Sequence, residues 1–239
     1  MWVVALSIVF VGLGLAVGWF GLRPLTVVVP LVRNEVQDPS AVSESDGFVV
    51  CRGTATENGE SFAAPFTGRD CLGFEFEVTE RQLAWIGLPW SNNHLDDGVA
   101  TTPFALDGAY GTVAVDPSSR RFSLDTESAV ISVDSHETPA DRIQRFLDVR
   151  EIQPVARWLA AIPLFGTRRF IERRVDPGEE YVIAGRVEHR QGTMAFTGDL
   201  VITDQSPRQL AVTRLWSSMF PLLIAAVFVG SGLWAVVAL

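Results

Sequence analysis

The chain has 239 residues, 48% of them hydrophobic, and carries 19 Lys plus Arg, all of them Arg, against 28 Asp plus Glu, for a net charge of −9. An acidic chain of this kind is not built for nucleic acid, which calls for a basic face. Acidity without lysine fits solubility in a salt-adapted organism with a GC-rich genome, because high salt screens charge over a few ångströms.

The first element is an apolar run over residues 2–22, and a matching run over residues 219–239 ends the sequence. Neither run contains a charged residue; every Asp, Glu and Arg lies between Arg23 and Arg214. About 20 apolar residues cover the ~30 Å hydrocarbon core of a bilayer, so the expectation is two transmembrane helices holding a polar body against a membrane. A cleaved signal peptide is the alternative for the first run. It would need a basic leader and a shorter apolar stretch, whereas residues 1–22 hold no basic side chain. Small residues four apart, Gly14 with Gly18 and Ala226 with Gly230, allow close approach of helices, so the two runs are candidates to pair or to dimerise copies. Trp2, Trp216 and Trp234 suit interfacial depths. Arg23, Arg33, Arg208 and Arg214 flank the runs on the side of the polar body, and the positive-inside tendency then places that body in the cytoplasm.

Residues 23–46 read as an extended connector, with Pro30 and Pro39 breaking any helix. Strand patterns follow across residues 47–205. Phe74, Phe76 and Val78 alternate with Glu75, Glu77 and Thr79; Val113 with Val115, and Phe122 with Leu124, repeat the period. Tyr181, Ile183 and Val187 alternate with Arg186, Glu188 and Arg190, and Met194, Phe196, Leu200 and Ile202 form a further strand with a bulge at Gly198. Asp176-Pro177-Gly178 suits a type II turn and Asp116-Pro117-Ser118 a second turn. Short strands with turns at this spacing predict a mainly β body, an antiparallel sandwich or small barrel.

A helical insert over residues 139–162 interrupts it. Thr138 is the predicted cap and Pro139 the first helical residue, followed by an apolar stripe of Ile143, Phe146 and Leu147. Pro154 starts a second short helix with Val155, Trp158, Leu159 and Ile162 on one face, a core stripe or a membrane-surface contact. Ser206, Pro207 and Gln209 make a capping box for a last helix running into the second apolar span, with Pro221 a kink point.

Catalytic signatures such as GxSxG, HExxH, GxxxxGK[ST] and CxxC do not occur, and no cofactor, metal or catalytic residue is expected. His94, Asp96 and Asp97 are the best metal-like or hydrolase-like group, in a stretch that reads as a solvated loop; His136 and His189 read as surface residues. Cys51 and Cys71 are too few for a zinc ribbon or disulfide scaffold. Two reduced, buried thiols are expected, with one disulfide between neighbouring strands left open. Arg168, Arg169, Arg173 and Arg174 form a basic cluster that either pairs with the abundant carboxylates or meets anionic lipid headgroups. Together with Trp85, Trp90 and His94 they are the expected contact residues for a partner or the membrane.

Four blocks in order carry a family resemblance. Residues 64–78 (APFTGRDCLGFEFEV) resemble the sP-hydrophobic-sGxxC…[YF]xV block of the GIDE/MULAN family, whose soluble part is the BAM (beside-a-membrane) domain. Phe104-Ala105-Leu106-Asp107 and Gly111-Thr112-Val113-Ala114-Val115-Asp116-Pro117 resemble its FxLD…GxVxVDP block. Residues 170–185 are similar to its Arg/Glu-to-Gly block, and residues 200–207 to its I-S-D-x-S end before the second membrane helix. The resemblance covers roughly residues 45–239 and implies a membrane-anchored, partner-binding module, here of haloarchaeal type. Ubiquitin ligase activity in such relatives belongs to a RING domain after the second helix, and a RING needs ligands for two zinc ions. The sequence stops at Leu239 without them, so ligase chemistry is not expected; a role in ubiquitin-like modification would need a separate RING protein. Relatives hold the domain in the intermembrane space, against the cytoplasmic placement that the arginines imply. The expected partners are a lipid bilayer, an unidentified protein and a second copy through the apolar helices, with no nucleic acid.

Overall fold

The computed structural model describes residues 2–22, 25–43, 47–82, 91–117, 122–152, 166–190 and 192–237. The chain divides into two compact units, one formed by Met1–Glu35 with Gln205–Leu239 and the other by Val36–Asp204. Helices α1 (Trp2–Leu22) and α2 (Leu25–Arg33) precede the strands, α3 (Asp141–Val149) interrupts them, and α4 (Pro207–Val237) follows them.

In the terminal unit α1 packs along α4 in antiparallel fashion. A Cβ at Gly14 would lie 2.7 Å from Val229 Cγ2, and one at Gly232 would lie 2.8 Å from Val11 Cγ2 and 3.0 Å from Ser7 O. Gly18 faces Ala225, and the Phe10 and Phe228 rings stand 5.4 Å apart. Gly14 and Gly18 of the small-residue reading thus lie in the contact of α1 with α4, whereas Ala226 and Gly230 do not: both are exposed, and a Cβ at Gly230 would meet nothing within 4 Å. The contact stripe of α4 is Ala225, Val229 and Gly232, spaced four and three residues as a helical face requires.

Two expectations change here. The connector is not extended throughout, because α2 continues through Pro30. Proline forfeits one backbone bond, and the packing of α2 on α4, which leaves Leu31 1% exposed, offsets that loss. Asn34 closes the helix, its Nδ2 and its backbone N–H both donating to Pro30 O at 2.7 and 3.2 Å. The second change concerns the membrane. Among the described residues a single helix, Pro207–Val236, is long and apolar enough to cross a bilayer; the apolar stretch of α1, Leu6–Leu22, is shorter. The expected capping box opens α4: Ser206 N donates to Gln209 Oε1 and Gln209 N to Ser206 Oγ, both at 3.3 Å. The helix runs unbroken through Pro221.

The second unit holds β1 (Val36–Gln37), β2 (Phe48–Glu57), β3 (Phe62–Ala63), β4 (Asp70–Cys71), β5 (Gly73–Gln82), β6 (Ser91–Thr101), β7 (Phe104–Asp107), β8 (Thr112–Val115), β9 (Phe122–Asp125), β10 (Ser128–Val133), β11 (Arg168–Val175), β12 (Glu180–Arg190) and β13 (Thr193–Thr203). Five strands close into a barrel in the order β2-β12-β13-β8-β7 and back to β2. All neighbours are antiparallel except β13 and β8. Three consecutive barrel strands, β2-β7-β8, lie side by side and β12 returns beside β2; this is a Greek key, and with β13 closing it the barrel has the architecture of OB-folds. Of the two expected β architectures the barrel is therefore the one formed, with one parallel pair. Phe104, Leu106, Ile183, Phe196, Leu200 and Ile202 fill it.

A second, antiparallel sheet, β10-β11-β5-β6, is built from two long excursions between barrel strands. One face carries Phe76, Val78, Phe170 and Val133 and is covered by Ile143 and Leu147 of α3, with Phe66 at the centre. Phe66 meets Phe76, Phe146 and Phe170 edge-on at 5.8, 5.0 and 5.2 Å, contacts worth ~1 kcal/mol each beyond area burial. The apolar stripe of the insert is met in α3, but its start is not: Ala140 is the cap residue, without a side-chain bond, because its backbone is still extended (φ −55°, ψ 147°). The expected second helix with Val155, Trp158, Leu159 and Ile162, and the turn at Ser118, lie outside the described residues. Gly178 has φ 84° as a type II turn demands, and Gly198, at φ 78°, marks the expected bulge, where the β12–β13 register shifts.

Candidate functional site

Strand alternation governs where the proposed contact residues fall. On β11, Arg168, Phe170, Glu172 and Arg174 share the face that α3 covers, while Arg169 and Arg173 share the other, so the four arginines do not form one patch. Arg168 Nε pairs with Glu80 Oε2 at 3.0 Å, both side chains about nine-tenths buried. Arg173 reaches Glu75 at 4.0 Å, and Arg169 is exposed. Trp85 and Trp90 lie outside the described residues.

The stretch around His94 is not a loop. It belongs to β6, where His94 pairs with Thr79 and Asp96 with Val78, the register shifting between them; this bulge leaves Leu95 unpaired, and Leu95 packs on the core under α3. The sequence looked loop-like because Asn, Asp and Gly are depleted in strands; pairing along the whole length of the ten-residue β5 overrides that preference. His94 Nε2 meets Asp97 Oδ1 at 3.2 Å on the exposed surface, whereas Asp96 turns to Arg150 at 3.7 Å. The three residues therefore do not converge. Among the described residues no three His, Cys, Asp or Glu side chains stand where a metal ion could be held. Cys51 and Cys71 are both free and buried, and burial pushes each thiol up to about 12. Cys71 Sγ donates to Phe62 O at 3.3 Å.

Arg174 marks a different site. A cleft of about 690 Å³ opens where the barrel meets the second sheet, lined by Thr67 and Arg69, by residues 126–129, by Arg174 and Asp176, by residues 179–181 and by Asp204. Five carboxylates (Glu127, Asp176, Glu179, Glu180 and Asp204) face two guanidinium groups there. Its floor is rigid. Glu172, 1% exposed, accepts from Phe66 N at 2.7 Å, Thr67 N at 3.2 Å, the Thr67 hydroxyl, and Arg174 Nη1 at 2.9 Å. Arg174 also donates from Nε and Nη2 to Asp176 at 3.0 and 3.3 Å. Asp176 N donates to the Tyr181 hydroxyl at 2.9 Å; burial holds that phenol at about 12 and therefore neutral. At the rim Asp204 Oδ2 accepts from Glu127 N at 2.6 Å.

Thr126, in this cleft, is 8% exposed, and among the described residues its hydroxyl has no hydrogen-bond partner. A buried hydroxyl left unmatched costs about 1–3 kcal/mol. The arrangement suits a cationic group with hydrogen-bonding capacity, and nothing in it is poised for covalent chemistry. Sequence reasoning reached Arg174 but missed the rest, because the lining residues are gathered from five separate stretches. The one local signal was the acidic turn Asp176-Pro177-Gly178-Glu179-Glu180. Compared with known protein families, with curated proteins and with solved structures, the chain shows no significant match to any.

Proposed function

We propose that this protein is a non-catalytic, membrane-anchored β-rich module that binds a protein partner, a module of GIDE/BAM kind. The observation that carries the reading is the pairing of a capped, 31-residue apolar helix, α4, with a β body that carries an acidic cleft free of catalytic constellations among the described residues. An anchor concentrates a binding surface at a bilayer, and such a surface needs no turnover chemistry to act. In this reading α1 lies beside α4 in the apolar layer, and the β body stands on the cytoplasmic side, in keeping with Arg33, Arg208 and Arg214 near the helix ends. Arg169, exposed on β11, is open to headgroups or a partner.

Site-directed photocrosslinking in the native membrane tests it. Reproducible capture of one neighbouring protein through the β body is the expected result. Failure to capture any neighbour from positions spread over that body would contradict it.

A further inference from the structure

β10 has the sequence Ser-Ala-Val-Ile-Ser-Val and pairs on one side with β11, residue for residue from Ser128 with Arg173 to Val133 with Arg168. Among the described residues no strand pairs with its other side. An open edge presents unpaired N–H and C=O groups, and soluble proteins usually block such an edge with charge, proline or a bulge. β10 has none of these devices, and Val130 is 45% exposed. Both ends of this edge are acidic. The 690 Å³ cleft meets it at Ser128 and Ala129, with Glu127, Asp204 and Glu179 close by, Arg69 and Arg174 also in the lining, and the Thr126 hydroxyl, without a partner among the described residues, beside them. A smaller cleft of about 300 Å³ meets it at Val133, lined by Asp134, Glu137 and Asp148 and by Arg168, which pairs with Glu80.

We infer that β10 is a docking edge for an extended, arginine-bearing peptide segment of the partner, which adds as a strand and places basic side chains in the two acidic clefts. The inference rests on the partner-binding reading above and names its surface and its chemistry. Backbone pairing along the edge supplies affinity, and pockets for particular side chains supply selectivity, as in other cases of strand addition. Six residues of strand extend about 20 Å, so the two basic residues of the ligand stand about six to seven positions apart. Pairing of β10 with a second copy of itself is disfavoured on the same grounds, since it would bring acidic clefts together.

The test uses the full chain in detergent micelles and a fluorescein-labelled peptide, Arg-Thr-Val-Thr-Val-Thr-Val-Arg, followed by anisotropy. Saturable binding is expected, at least tenfold weaker when the terminal arginines become Glu and at least tenfold weaker when two central residues become Pro. Glu179→Gln with Glu180→Gln, at exposed positions outside the edge itself, should weaken the arginine peptide at least threefold. Val130→Lys should do so at least tenfold, with thermal unfolding recorded to show that each variant folds. Equal binding of the glutamate or the proline peptide would overturn the inference, as would self-association of the chain through β10. Photocrosslinking from Val130 separates this idea from the broader one. A partner caught from other positions but never from Val130 sinks the docking edge and leaves the anchored module standing; no capture from any position sinks both.

Discussion

Glu172 ties the second sheet to the Phe66–Thr67 turn. Its carboxylate is buried and takes two backbone N–H groups, a hydroxyl and the Arg174 guanidinium, so removing it leaves both N–H groups without this acceptor and the guanidinium without its buried counter-charge. Breaking a buried pair from one side costs about 3–5 kcal/mol, and Glu172→Ala is expected to lower stability by that amount in urea titration. Arg173→Ala, which breaks a half-exposed pair at 4.0 Å, should cost under ~1 kcal/mol. A second expectation concerns pH. Burial raises Cys51 and Cys71 from 9.0, and Tyr181 from 10.0, to about 12. Well below pH 9 all three are neutral whether the chain is folded or not, and their burial contributes fully. As pH rises from about 9 to about 12 the unfolded chain releases protons that the folded chain keeps, so stability must fall across that window. The chain has no lysine to titrate there as well. The urea midpoint at pH 10.5 should lie clearly below that at pH 8, and maleimide should label both thiols far faster in urea than in the native protein; equal midpoints and equal labelling rates would refute the buried-thiol assignment.

Among the elements, turns and helix contacts give the sharpest tests. Gly178 adopts φ 84° with no atom within 4 Å of a would-be Cβ, so Gly178→Ala meets only conformational strain, about 1–2 kcal/mol. Gly14 is the opposite case. A side chain there would strike Val229, and Gly14→Leu is expected to part α1 from α4, read as loss of a disulfide crosslink engineered between the two helices. This turn, the bulge at Gly198, the capping box at Ser206 and the stripe of α3 were all legible, because each is written in neighbouring residues. β6 was not, since Ser-Asn-Asn-His-Leu-Asp-Asp-Gly has turn composition and becomes a strand only against β5. α2 was missed because Pro30 argues locally against a helix that packing on α4 sustains. Start positions were the weakest part, as Ala140 in place of Thr138 illustrates.

For the whole molecule, patterning identified a mainly β body between apolar segments, but closure into a barrel depends on β2 meeting both β7 and β12, pairings far apart in the chain. The cleft is harder still to read in sequence, since Thr67, Thr126, Arg174 and Asp204 converge only once both sheets exist. Membrane anchoring is the claim on which the proposed function turns, and it resides in α4, whose span Pro207–Val236 reaches about 45 Å at ~1.5 Å per residue. Flotation of the intact chain with lipid vesicles on a density gradient, washed with 1–2 M salt or moderate urea as order-of-magnitude conditions that strip screened surface charges, tests it most directly. The account predicts that the intact chain rises with the lipid. Intact protein left in the dense fraction after that wash would contradict it.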